Sequence, residues 1–108
     1  MTQYIPGKTL AYFETVCDGL VPCRIVGMSH DADWAACVKA GQASNIPLPF
    51  PGGIMVCVVV TARHHHVYRC GEVIFTNVRH VIPRDCSLRR RGSRSTTILP
   101  YKWERQAS

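Results

Sequence analysis

IMVCVVVTARHHHVYRCGEVIFTNVRHVIPR, Ile54 to Arg84, is the stretch whose reading decides the fold class. Ile54 to Val60 is an apolar, largely β-branched run, the pattern of a strand buried on both faces or wrapped into a small barrel. Val67-Tyr68-Arg69 continues as a short strand into Cys70-Gly71, where glycine takes the positive φ that a turn needs. Glu72 to Thr76 then alternates Val73 and Phe75 with Glu72, Ile74 and Thr76. A last short strand, Val81-Ile82-Pro83, stops at a proline, which has no N–H to give to a ladder.

Upstream, Leu20 to Met28 alternates Val21, Cys23 and Ile25 with Pro22, Arg24 and Val26, a half-buried strand with Arg24 towards solvent. Pro22 places that strand at a sheet edge. Leu10 to Phe13 reads as a strand or one helical turn. Ser29-His30-Asp31 offers capping side chains before Ala32 to Ala40. There Trp34, Cys37, Val38 and Gly41 share one helical face, which predicts a helix over about 31–40 with Gly41 as its stop. Residues 45–53 are rich in proline and predict an extended loop that packs Leu48 and Phe50 against the body. Residues 85–95 are polar and basic, a mobile loop by composition, and Thr96 to Trp103 regains β-propensity as a returning strand or a docked aromatic segment.

Length and composition set the class. A chain of 108 residues that is 46% hydrophobic and 19% charged is expected to fold as one globular domain. No apolar run has the length of a membrane helix, and Met1 to Gly7 lacks the basic and apolar regions of a signal peptide, so a cytoplasmic protein without a membrane partner is expected. In that compartment the six scattered cysteines, Cys17, Cys23, Cys37, Cys57, Cys70 and Cys86, read as free and mostly buried thiols.

Residues 54–84 resemble part of an SH3-like barrel. Tyr68-Arg69-Cys70-Gly71-Glu72-Val73-Ile74-Phe75 is similar to the aromatic-x-x-Gly-Glu-apolar pattern of those folds, and Val78-Arg79-His80-Val81-Ile82-Pro83 is similar to their closing single-turn helix and final strand. The resemblance implies a mainly-β small barrel of five or six strands, with the helix at 31–40 and the Pro-rich loop as an insertion. SH3-like folds serve as peptide binders, nucleic-acid binders and structural adaptors, so the resemblance speaks to the fold and hardly to the function.

The net charge is +6, and arginine outnumbers lysine ten to three. From Arg79 onward, eight Lys and Arg face only Asp85 and Glu104. Arg89, Arg90, Arg91 and Arg94 combine a compact charge block with small residues, as basic arms for nucleic acid do, and His64, His65 and His66 are candidate supporting contacts to phosphate. The alternative is a protein partner or a second copy of the chain, met through a sheet edge or through Leu48, Phe50, Tyr101 and Trp103. His64 and His66, two apart on an extended chain, would point one way and form a metal site with Cys70 or His80. Their spacing matches no zinc pattern, so no metal and no cofactor are expected, and a His/Cys metal-binding protein is kept as a further alternative. Cys70, His80 and Asp85 supply the residue types of a nucleophile, a base and an acid. No phosphate loop or nucleophile elbow accompanies them, so no enzyme is expected.

Overall fold

The computed structural model describes residues 2–43, 53–84 and 103–106. Among the described residues the elements follow in the order β1 (Thr2–Tyr4), β2 (Leu10–Thr15), β3 (Gly19–Met28), α1 (Trp34–Ala40), β4 (Met55–Val60), β5 (Val73–Asn77), η1 (Val78–His80), β6 (Val81–Pro83) and β7 (Trp103–Arg105). The described residues are thus mainly β, with α1 as a short helix among them. Five strands form an antiparallel sheet in the order β5-β4-β3-β2-β6, and β1 pairs parallel with β7 in a separate ribbon.

β4 explains why Ile54 to Val60 is apolar without alternation. Val56, Val58 and Val60 point into the main core with Phe13, Val21, Cys23 and Ile25, while Cys57 and Val59 point the other way, to a second cluster under α1. Every residue of β4 is buried. β5 is split similarly: Ile74 packs on the main core, and Val73 and Phe75 pack under the helix with Trp34. The main core draws on every strand, with Tyr4 of β1 and Trp103 of β7 closing it in an edge-to-face contact.

Three local expectations are corrected. β3 lies at the centre of the sheet, not at an edge. Pro22 is tolerated there because its carbonyl accepts from the Thr61 N–H (3.0 Å), one residue past the end of β4. Within a strand a residue's N and C=O face the same neighbour, so the missing N–H of Pro22 falls where the ladder has already ended. Val67-Tyr68-Arg69 is a loop rather than a strand. Its backbone is held instead by local bonds, with the N–H groups of Val67 and Tyr68 donating to His65 Nδ1 and that of Arg69 to Glu72 Oε1. Gly71 does turn with positive φ, at 94°.

The helix starts at Trp34, not near residue 31. Asp31 is occupied elsewhere: its buried carboxylate accepts from the Tyr4 hydroxyl and from the Met28 N–H, so it holds a turn instead of capping a helix. The expected face is kept, since Cys37 and Val38 are buried and Gly41 ends the helix. α1 sits close to the sheet where the β3–β4 register shifts between Ile25 and Gly27. A Cβ at Gly27 would come within 2.7 Å of the Cys37 Cβ, so this glycine is needed for close approach rather than for its dihedral freedom.

Candidate functional site

The charge is unevenly divided. Among the described residues eight Lys and Arg stand against six Asp and Glu, whereas residues 85–102 carry five against one. Two thirds of the net charge of +6 therefore belongs to the segment between β6 and β7. Arg89, Arg90, Arg91, Arg94, Tyr101 and the Asp85 of the supposed catalytic set lie outside the described residues, as do Leu48, Phe50 and Cys86.

Both ends of that segment are fastened. At one end Arg84 donates from Nε to the Ala11 carbonyl (3.2 Å) and from Nη2 to Thr61 Oγ1 (2.9 Å), with its guanidinium 5.2 Å from the centre of the Tyr12 ring. This arginine ties β2 to the start of the β4–β5 loop, and nothing in its sequence context separates it from its basic neighbours. At the other end Trp103 is buried against Tyr4, so it contributes packing rather than a surface for a partner. Arg105 forms a two-pronged ion pair with Asp33 just before α1. The guanidinium holds the Asp33 carboxyl below the usual carboxylate range.

A second latch lies beside the first. The Tyr4 hydroxyl donates to the Asp31 carboxylate, 2.5 Å from each oxygen. Burial, and then the neighbouring carboxylate, push the Tyr4 hydroxyl well above the usual tyrosine range, so it remains a donor at any physiological pH. Asp31, Asp33 and Cys37 bring three ligand-type atoms within 4.8 Å of one another. Tyr4 and Arg105 already engage the two carboxylates, which gives the cluster a structural role.

The histidine triplet does not assemble as its spacing implied. His65 and His66 come together with Asp18 of the β2–β3 turn, not His64 with His66 and Cys70 or His80. His66 Nε2 is 2.7 Å from Asp18 Oδ1, and the His65 and His66 rings stack at 4.6 Å. His65 Nδ1 accepts from the Val67 and Tyr68 N–H groups, which places its proton on Nε2 and leaves that nitrogen a donor rather than a ligand. His80 lies near Glu14 instead (3.9 Å), and Cys70 is exposed.

A cleft of about 360 Å³ opens between α1 and the β1–β2 turn, with Arg24, Val26, Cys37 and Val59 in its lining. Its lining, among the described residues, includes no His, Asp or Glu to serve as a base. Arg24 is tied to the Gly7 carbonyl (2.8 Å), and burial raises the Cys37 thiol above its usual range, which keeps it protonated and weakly nucleophilic. The five described cysteines are free: Cys23, Cys37 and Cys57 are buried, and Cys17 and Cys70 are exposed. No described helix is long and apolar enough to cross a membrane.

Comparison with known proteins finds no matching family model, no matching curated protein and no matching solved structure.

Proposed function

We propose that this protein is a small, non-enzymatic β-domain of the cytoplasm that binds nucleic acid, or a nucleoprotein, through the basic segment 85–102, with Arg89, Arg90, Arg91 and Arg94 as the phosphate contacts. The observation that carries this reading is the division of charge: the framework is nearly balanced, and the excess sits in one segment anchored at Arg84 and at Trp103–Arg105. Fixing the two flanking residues, Arg84 and Trp103, lowers the entropy that the segment between them has to lose on binding. Exposed His64, and the Nε2–H of His65, are further donors on the β4–β5 loop, while His66 is engaged with Asp18. An SH3-like description of the domain is supported by the antiparallel run β2-β3-β4-β5, followed by a single 3-10 turn and a strand that returns to β2.

The test is binding of fluorescent single- and double-stranded oligonucleotides over a salt series. Affinity should fall steeply with salt. Replacing the four arginines by alanine should flatten the slope by about 0.9 per lost duplex phosphate contact, up to about 3.6 for all four. Folding stability should move by no more than about 0.5 kcal/mol. Binding that is unchanged in the quadruple variant overturns the assignment of the site, and no binding at low salt overturns the function.

A second reading, association with protein, is favoured by one observation: among the described residues β5 is paired only on its β4 side.

A further inference from the structure

The two edges of the five-stranded sheet are built differently. β6 is three residues long, ends in Pro83 and is followed at once by Arg84, features that discourage a further strand. β5, the opposite edge among the described strands, is Val73-Ile74-Phe75-Thr76-Asn77, with no charge, no proline and an unbroken register against β4. The bonds from Val60 N–H to Glu72 C=O and from Val78 N–H to Ile54 C=O show that even-numbered residues face β4. The N–H groups of Val73, Phe75 and Asn77, and the carbonyls of Val73 and Phe75, therefore face away from the sheet.

We propose that this edge pairs with the β5 edge of a second copy of the chain, antiparallel and two-fold symmetric about Phe75, to make one sheet continuous across a dimer. This deepens the protein-association reading and is independent of nucleic-acid binding. Register favours a second copy over an unrelated strand. About Phe75 the two Phe75 residues exchange both bonds, and each Asn77 N–H meets a Val73 carbonyl of the other copy. The charges agree as well. In this register Glu72 of one copy falls opposite the start of η1 of the other, the turn that carries Arg79, so each end of the ribbon brings an acidic and a basic residue to the same region. Both side chains are exposed, and no described acid pairs with Arg79. On the helix side, half-buried Phe75 meets its copy next to the Trp34 ring that it already contacts edge-on.

A ribbon of this length is at the small end of specific interfaces, so a micromolar dimer is expected. Sedimentation velocity from low micromolar to near-millimolar protein should show monomer passing to dimer. Salt should change the dimer little, because it screens the repulsion between two chains of charge +6 as well as the Glu72–Arg79 attraction, while it weakens nucleic-acid binding steeply. Amide exchange on the unmodified protein should show Phe75 and Asn77 gaining protection with concentration, while Ile74 and Thr76, already bonded to β4, change little. Phe75→Lys sets like charges opposite each other at the two-fold and should weaken the dimer by about tenfold or more. A monomer over the whole range overturns the proposal. So does a dimer whose Phe75 and Asn77 amides exchange at a concentration-independent rate, whether or not Phe75→Lys folds.

Discussion

Tyr4→Phe tests how the ribbon of β1 and β7 is held to the sheet. The change removes one oxygen and keeps the ring that meets Trp103 edge-on. The lost hydroxyl donates to a carboxylate buried almost completely, with an oxygen-to-oxygen distance of 2.5 Å. Without it Asp31 keeps, among the described residues, the Met28 N–H at 3.1 Å and a contact to His30 at 3.9 Å. A hydrogen bond to a charged group contributes about 1.5–3 kcal/mol, and leaving a buried acceptor short of a donor adds to that, so a loss of about 2–4 kcal/mol is expected. For a chain of this size that is a large part of the total stability, and it moves a urea midpoint by about 1–3 M. The assay is urea unfolding followed by tryptophan fluorescence and far-ultraviolet circular dichroism, in a cycle with Asp31→Ala. In the Asp31→Ala background the tyrosine has no carboxylate to meet, so the same change should cost close to nothing. A cost below about 0.5 kcal/mol in the parent, or an equal cost in both backgrounds, refutes the latch.

The remaining predictions concern the helix and the thiols. Gly27→Ala drives a methyl group into Cys37 and should destabilise by about 1–3 kcal/mol as α1 is pushed from the sheet, whereas Gly27→Ala combined with Cys37→Gly should recover part of that loss in the same unfolding assay. Alkylation of the native protein should label Cys17 and Cys70 quickly and Cys23, Cys37 and Cys57 slowly, with all six cysteines labelled after unfolding without reductant; mass spectrometry reads the count. Burial pushes the Cys23 and Cys57 thiols up to about 12 from a usual value near 9, so their contribution is complete below about pH 9 and is lost as pH rises towards 12; alkaline unfolding in that window should shift upwards in Cys57→Ala relative to the parent's loss of stability over the same range.

The basic segment is legible in the sequence as composition, since a block of arginines needs no fold to be counted. The contacts that fasten it are not. Arg84 is one basic residue among several until the chain brings Ala11 and Thr61 to it, and Asp33 meets Arg105 only because β7 returns to β1. The histidine triplet shows the same limit. An extended chain places His64 and His66 on one side, but the loop bends, and backbone N–H groups from Val67 and Tyr68 turn His65 towards His66 and Asp18.

Hydrophobic pattern and chain punctuation were enough for the mainly-β class, for β3, β4, β5 and β6, and for the buried face of α1, because periodicity and turn chemistry act between near neighbours in sequence. Tertiary structure alone decided that Pro22 lies in the central strand, that Asp31 binds Tyr4 rather than capping the helix, and that β5 is an edge among the described strands. Each of these depends on where a neighbouring strand ends or which distant side chain arrives. The ladder beside Pro22 stops at Val60, Tyr4 lies 27 residues from Asp31, and strand order follows from how the whole core closes. Local propensity carries no information about such distant partners, because their free energy appears only once burial has brought them together.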